Sequence, residues 1–193
     1  MKAVAPIIPD ALIYEMVNGK PIYYKGYKDY LNREKDISEL LGSSKIQSIL
    51  AGEIYFLLRS LLGEEYLIFI NELGVKFAHK SWRAADIALI KPELVNEIDN
   101  KYLEVPPEVV IEIDTKADLW SLKNPLSYSQ EKTKELLAFG VEKVIWVFTD
   151  TEKVLVAENG KKWEISDFEE DITVVRDMTI NIEEILKGKG IRL

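Results

Sequence analysis

The residues best suited to chemistry lie in one short stretch, Val109-Val110-Ile111-Glu112-Ile113-Asp114-Thr115-Lys116. Val109 to Ile113 is rich in β-branched residues, the pattern of a strand buried on both faces of a sheet. Such a strand should not carry charge, because burying an unpaired carboxylate is costly. Glu112 and Asp114 nevertheless stand two apart, which on a strand projects both from one face. Carboxylates brought together at the end of a buried strand repel each other unless a cation sits between them. Asp86 adds a third acid at the start of another apolar run, Ala85 to Ile90. Metal-assisted phosphodiester hydrolysis needs these kinds of part. Hard carboxylates hold magnesium, and the metal lowers the pKa of a bound water and neutralises phosphate charge. A positioned lysine, Lys116 or Lys132, would orient the water or stabilise developing negative charge. Acidic pairs also occur at strand ends for solubility alone.

Composition narrows the chemistry further. The 193 residues are 47% hydrophobic and 30% charged, which suits one globular domain, 1–193, with a substantial core. With no cysteine and His79 as the one histidine, neither thiolate metal sites nor histidine-based triads have their parts. Any metal must be held by oxygen, which points to Mg2+ or Mn2+. The net charge of -8 opposes general attraction to nucleic acid, so a phosphate site has to be a local basic patch. Met1 to Asp10 lacks the apolar core of a signal peptide, and no run is long enough to span a membrane. The expected location is cytoplasmic.

The elements that must position these residues follow from the patterning. Leu12 to Val17 and Pro21 to Tyr24 flank Asn18-Gly19, a strong hairpin signal. Tyr23, Tyr24, Tyr27 and Tyr30 read as packing against the main sheet. A subunit interface is the next reading, with a homodimer or larger homo-oligomer expected. A helix runs from about Ser44 to Leu62, where Ser44 and Gln47 have capping-box spacing. Its buried stripe reads as Ile46, Leu50, Leu57 and Leu61, with Glu53 on the inward face or at its margin. Tyr66 to Ile70 and Val75 to Ala78 read as strands joined around Gly74. His79-Lys80-Ser81-Trp82-Arg83 interleaves basic and aromatic residues, either as a solvated hairpin end or as a phosphate-backbone contact. Pro92 to Glu104 is a polar connection. Ala117 to Asn124 is a loop containing Trp120, after which Asn124-Pro125 opens a helix that Gly140 closes. On that helix Tyr128, Lys132, Leu136 and Phe139 share one face, which places Lys132 in the apolar stripe. Lys143 to Phe148 is another buried strand, and Val154 to Ala157 with Lys161 to Ile165 form an edge hairpin. Ile180 to Leu186 makes a last short helix with Asn181 as a candidate cap.

Asp86 after Ala85, then Glu112 in a Val/Ile run, resembles the PD-(D/E)XK nuclease superfamily. More closely, the chain is similar to the restriction-endonuclease-like Uma-two family. The resemblance runs through Tyr14-Glu15 and Asn18-Gly19, Arg83-Ala84-Ala85-Asp86 and Pro107-Glu108-Val109-Val110-Ile111-Glu112. It continues in Lys132, Gly140-Val141 and the Trp146 strand. It implies a central mixed β-sheet flanked by helices, metal-binding roles for Asp86 and Glu112, and DNA as substrate. The family has a proline before the aspartate, where this chain has Ala85. The superfamily's lysine two residues after the glutamate is here Asp114. The lysine then migrates to the neighbouring helix as Lys132, or is supplied by Lys116 in Asp114-Thr115-Lys116. A histidine near the start of the first long helix is replaced by Lys45, which is left out of the site. The leading expectation is a Mg2+-dependent endonuclease acting on DNA, with Lys132→Ala abolishing cleavage and sparing the fold. The alternative is an inactive protein that keeps the nuclease fold as a binding or assembly module.

Overall fold

The structure, a computed structural model, describes residues 8–119 and 125–192. Residues 1–7, 120–124 and 193 lie outside the described residues, and with them Trp120 of the expected loop and Asn124 of the expected helix start.

The chain begins with β1 (Ile13–Val17) and β2 (Lys20–Tyr23). Asn18 and Gly19 turn this hairpin at φ of 48° and 76°, the positive angles a tight hairpin turn needs. Next come α1 (Tyr27–Leu31), α2 (Lys45–Leu62), β3 (Leu67–Ala78), β4 (Ser81–Ile90) and β5 (Val109–Ile113). Then follow α3 (Pro125–Phe139), β6 (Lys143–Phe148), β7 (Lys153–Glu158) and β8 (Glu164–Asp167). A separate hairpin, β9 (Ile172–Val175) with β10 (Met178–Ile180), leads to α4 (Ile182–Gly188). Asn181 caps α4, its side chain accepting from the Glu184 N–H at 2.9 Å.

Eight of these strands make one mixed sheet in the order β2-β1-β4-β5-β6-β7-β8, with β3 paired to β4. β5 and β6 are parallel and joined through α3, while their outer neighbours are antiparallel. The sheet is covered on both faces. α2 places Leu50, Ile54, Leu58 and Leu62 against Ile87, Ile111 and Ile145. Each such side chain contributes about 1.5–3 kcal/mol by leaving water. On the other face α3 packs Tyr128 and Leu136 against Ala88, Val110, Val144 and Trp146. Among the described residues no helix is long and apolar enough to cross a membrane.

Two readings of the sequence change. The buried row of α2 follows i, i+4 spacing from Leu50 to Leu62, which leaves Leu61 mostly exposed and Ile46 and Leu57 at the margin. Gly74 makes no turn, because β3 continues through it, opposite Ala84. A side chain there would start 2.5 Å from the Tyr102 ring, so the glycine makes room for that ring.

The main-sheet irregularity that matters lies along β4. β1 pairs with β4 at Met16 and Trp82, on the edge opposite β3, and β5 takes over that edge from Ile87 to Leu89. Between the two contacts the sheet forks, and Ala84, Ala85 and Asp86 border the fork. On the β3 side Ile70 faces Ile87 and Leu73 faces Ala85. Asn71 and Glu72 therefore bulge opposite Asp86, both with positive φ, 70° and 57°. Bulges of this kind re-aim side chains and are common beside active sites.

Candidate active site at the fork of the sheet

The β4–β5 register pairs Ile87 with Ile111 and Ala88 with Val110. One step further along the same register, Asp86 stands opposite Glu112, and directly opposed antiparallel residues share a face. That face is the one α3 covers. Asp86 is buried, and its Oδ2 accepts from the Ile113 N–H at 2.8 Å. Its carboxylate is also approached by the Gln47 amide at 3.4 and 3.5 Å, and the same Gln47 Nε2 donates to the Ile113 carbonyl at 2.9 Å. Burial raises the Asp86 pKa, against the pull of the Ile113 N–H and of Lys132.

Glu112 is almost completely enclosed. Its Oε2 accepts from Lys132 Nζ at 2.8 Å, while its Oε1 is buried with no hydrogen-bond partner among the described residues. Burial pushes the Glu112 carboxyl up to about 8, in spite of the ammonium beside it. Lys132, wholly buried, also touches Glu15 Oε1 at 3.0 Å. The rings of Tyr14, Tyr128 and Trp146 surround its ammonium with centroids 5.5–5.9 Å away, within range of a favourable cation–π contact. Burial pulls Lys132 down, but the charges of Glu112 and Glu15 more than reverse this and hold it above the ordinary lysine value.

Glu15 closes the group. Its Oε2 accepts from Arg83 Nη1 and from the Tyr128 hydroxyl, both at 2.7 Å. Its Oε1 accepts from the Ala84 N–H at 3.2 Å, a donor that the fork leaves without a ladder partner on β1. Burial alone would raise Glu15, yet Lys132 and Arg83 together hold it below the usual carboxylate range. Arg83 Nε turns the other way, to Glu135 at 2.8 Å.

Asp86, Glu112 and Lys132 thus come together as the sequence suggests, whereas Asp114 and Lys116 are committed elsewhere. β5 ends at Ile113, and Asp114 takes a positive φ of 54°, which breaks the alternation that would set it beside Glu112. Its two oxygens instead accept from the Thr149 N–H at 2.8 Å and the Thr149 hydroxyl at 2.6 Å. Lys116 is ion-paired with Glu72 in the bulge, where the Tyr24 hydroxyl also donates to Glu72 at 3.1 Å. Glu53 is an edge carboxylate, paired with Lys189 at 2.9 Å. The basic-aromatic stretch is a hairpin end. Its Arg83 is spent on Glu15 and Glu135, and its Trp82 packs on Tyr102.

The chain matches no family model, and no curated protein matches it in sequence. Its structure is similar to the crystal structure of an Anabaena variabilis protein described as a "putative nuclease belonging to DUF820". The TM-score is 0.67, with 15% identity over 90% of this chain and 89% of that one. At that identity the likeness is one of fold.

Two residues of the group were not assigned to the site from sequence. Glu15 lies in Ile13-Tyr14-Glu15-Met16-Val17, an acid inside an apolar strand. That is the same signal that singled out Glu112. Gln47 looked like half of a capping box. Its N–H does bond Ser44 at 3.2 Å, but its side chain turns to Asp86 and Ile113 instead of back to the cap. Its place at the head of the row continued by Leu50, Ile54 and Leu58 was the available sign.

Proposed function

We propose that this chain is a Mg2+- or Mn2+-dependent endonuclease of the PD-(D/E)XK and Uma-two kind, hydrolysing phosphodiester bonds in DNA. The observation that carries the reading is the buried Oε1 of Glu112, unpartnered among the described residues and opposite Asp86 in register. Leaving a buried acceptor unpaired costs about 1–3 kcal/mol, and a cation at that position removes the cost. The donors fit a hard ion, since all are oxygen. Among the described residues no three Asp, Glu, His or Cys side chains form a metal-binding group. Asp86 and Glu112 would therefore leave most coordination positions to water and substrate, the arrangement magnesium favours. A divalent ion bound there supplies an activated water and neutralises charge on the phosphate.

The protein's own part is positioning. The Ile113 N–H fixes the Asp86 carboxylate, and Gln47 ties Asp86 to the end of β5. Lys132 donates to Glu112 Oε2, so Oε1 is the oxygen that would meet a cation, and the ammonium held in the site would offset negative charge developing on the phosphate. Asp114 and Lys116, each with a partner of its own, stand outside the bond-breaking step. The fold shared with a protein described as a "putative nuclease" supports this reading.

One observation favours an inactive binding module instead. Lys132 is fully buried between two carboxylates, so it reaches no solvent unless the site opens. Plasmid DNA incubated with the protein and Mg2+ or Mn2+ separates the two. Nicking by the wild type that needs the metal and disappears in Glu112→Ala is the expected result. Intact plasmid in every lane would leave the binding module as the better reading.

A further inference from the structure

Lys132 has two carboxylate partners, and the chemistry proposed above uses only one of them. The second, Glu15, is fully buried in an otherwise apolar strand, where an unneeded charge would be heavily penalised. Its Oε2 accepts from Arg83 and Tyr128, and its Oε1 accepts from the Ala84 N–H and is ion-paired with Lys132 at 3.0 Å. A carboxylate held from four sides is a fixed anion, and the ammonium on it is fixed too. Lys132 must otherwise answer two opposed demands. Without a cation it hydrogen-bonds Glu112, and beside one it is repelled by a like charge.

We infer that Glu15 is a positioning residue, which retains Lys132 while Glu112 gives its charge to a divalent cation. The lysine then neither competes for Glu112 nor leaves the site. This rests on the metal site proposed at Asp86 and Glu112.

A purely structural Glu15, joining the hairpin to β4 through the Ala84 N–H, would alter the melting temperature and nothing else. Metal affinity therefore discriminates. Mn2+ is titrated calorimetrically into wild type, Glu15→Gln, Lys132→Met and the double variant, each first checked for a cooperative melt. Glu15→Gln is expected to weaken Mn2+ binding about tenfold, as Lys132 moves fully onto Glu112. Lys132→Met is expected to bind Mn2+ more tightly than wild type. Adding Glu15→Gln to Lys132→Met should change the Kd by less than about twofold, because no lysine remains to be held.

An unchanged Kd in Glu15→Gln would overturn the inference, and so would an equal loss in both backgrounds, which would make Glu15 a general source of field. Should Glu15→Gln fail to melt cooperatively, weaker binding by Lys132→Met, or a difference between it and the double variant, would overturn it equally. If the wild type binds no Mn2+, the metal site itself fails and the role of Glu15 falls with it. Wild-type binding with no effect of Glu15→Gln leaves the metal site standing.

Discussion

Glu112 concentrates the physical tension of the molecule. Its carboxyl is lifted from 4.5 to about 8 because burial penalises the charged form more than Lys132 rewards it. The neutral form is thus favoured by folding. Stability from this group is complete below 4.5, declines as pH rises, and is gone above 8. In metal-free protein, the stability of Glu112→Gln relative to wild type should therefore grow through that interval and then level off. Thermal melts across the pH range check this. Metal binding must displace the same proton, so Mn2+ affinity is expected to rise up to tenfold per pH unit towards 8 and then flatten. A flat calorimetric profile would place the cation elsewhere. Lys132 changes more than the sequence suggested. A lysine in an apolar stripe can snorkel outward, but this one is enclosed by Glu112, Glu15 and three rings. Removing one partner of a buried ion pair costs about 3–5 kcal/mol. Lys132→Ala should thus lower the denaturation midpoint substantially as well as abolish cleavage, and an unchanged midpoint would contradict the enclosure.

Among the elements, the strands are legible because β-branched runs and turn residues leave few alternatives. Val109 to Ile113, Lys143 to Phe148 and the Asn18-Gly19 hairpin lie where the patterning puts them. What the pattern could not give is where strands part. The fork along β4 and the two-residue bulge at Asn71 and Glu72 depend on pairing between distant segments, which local periodicity does not encode. For that reason Glu15 was missed and Asp114 misplaced, since the first works across the fork and the second just past the end of β5. Gly74 was misread for a related reason. Glycine inside a strand marks close approach as often as a turn, and here the Tyr102 ring decides it. Gly74→Ala should cost about 1–3 kcal/mol by forcing that ring away. In the Tyr102→Ala background the same substitution should cost much less, as denaturant titration of the four proteins would reveal.

At the scale of the whole molecule, the mixed sheet with helices on both faces follows from the order of apolar runs and from one strand–helix–strand crossover between β5 and β6. The net charge of -8 belongs to the same scale. A protein so acidic gains little from general attraction to DNA, so the proposed endonuclease would need its site to reverse the local field. In that proposal a cation at Asp86 and Glu112 would have two tasks, chemistry and recognition. Crystals soaked in Mn2+ test this most directly, through anomalous scattering at the fork of the sheet. The expected result is a single peak about 2.0–2.2 Å from Glu112 Oε1 and within coordination reach of Asp86, with Lys132 still on Glu15. No peak at that position, with Lys132 and Glu112 unmoved, would contradict the assignment of this site to metal-dependent cleavage.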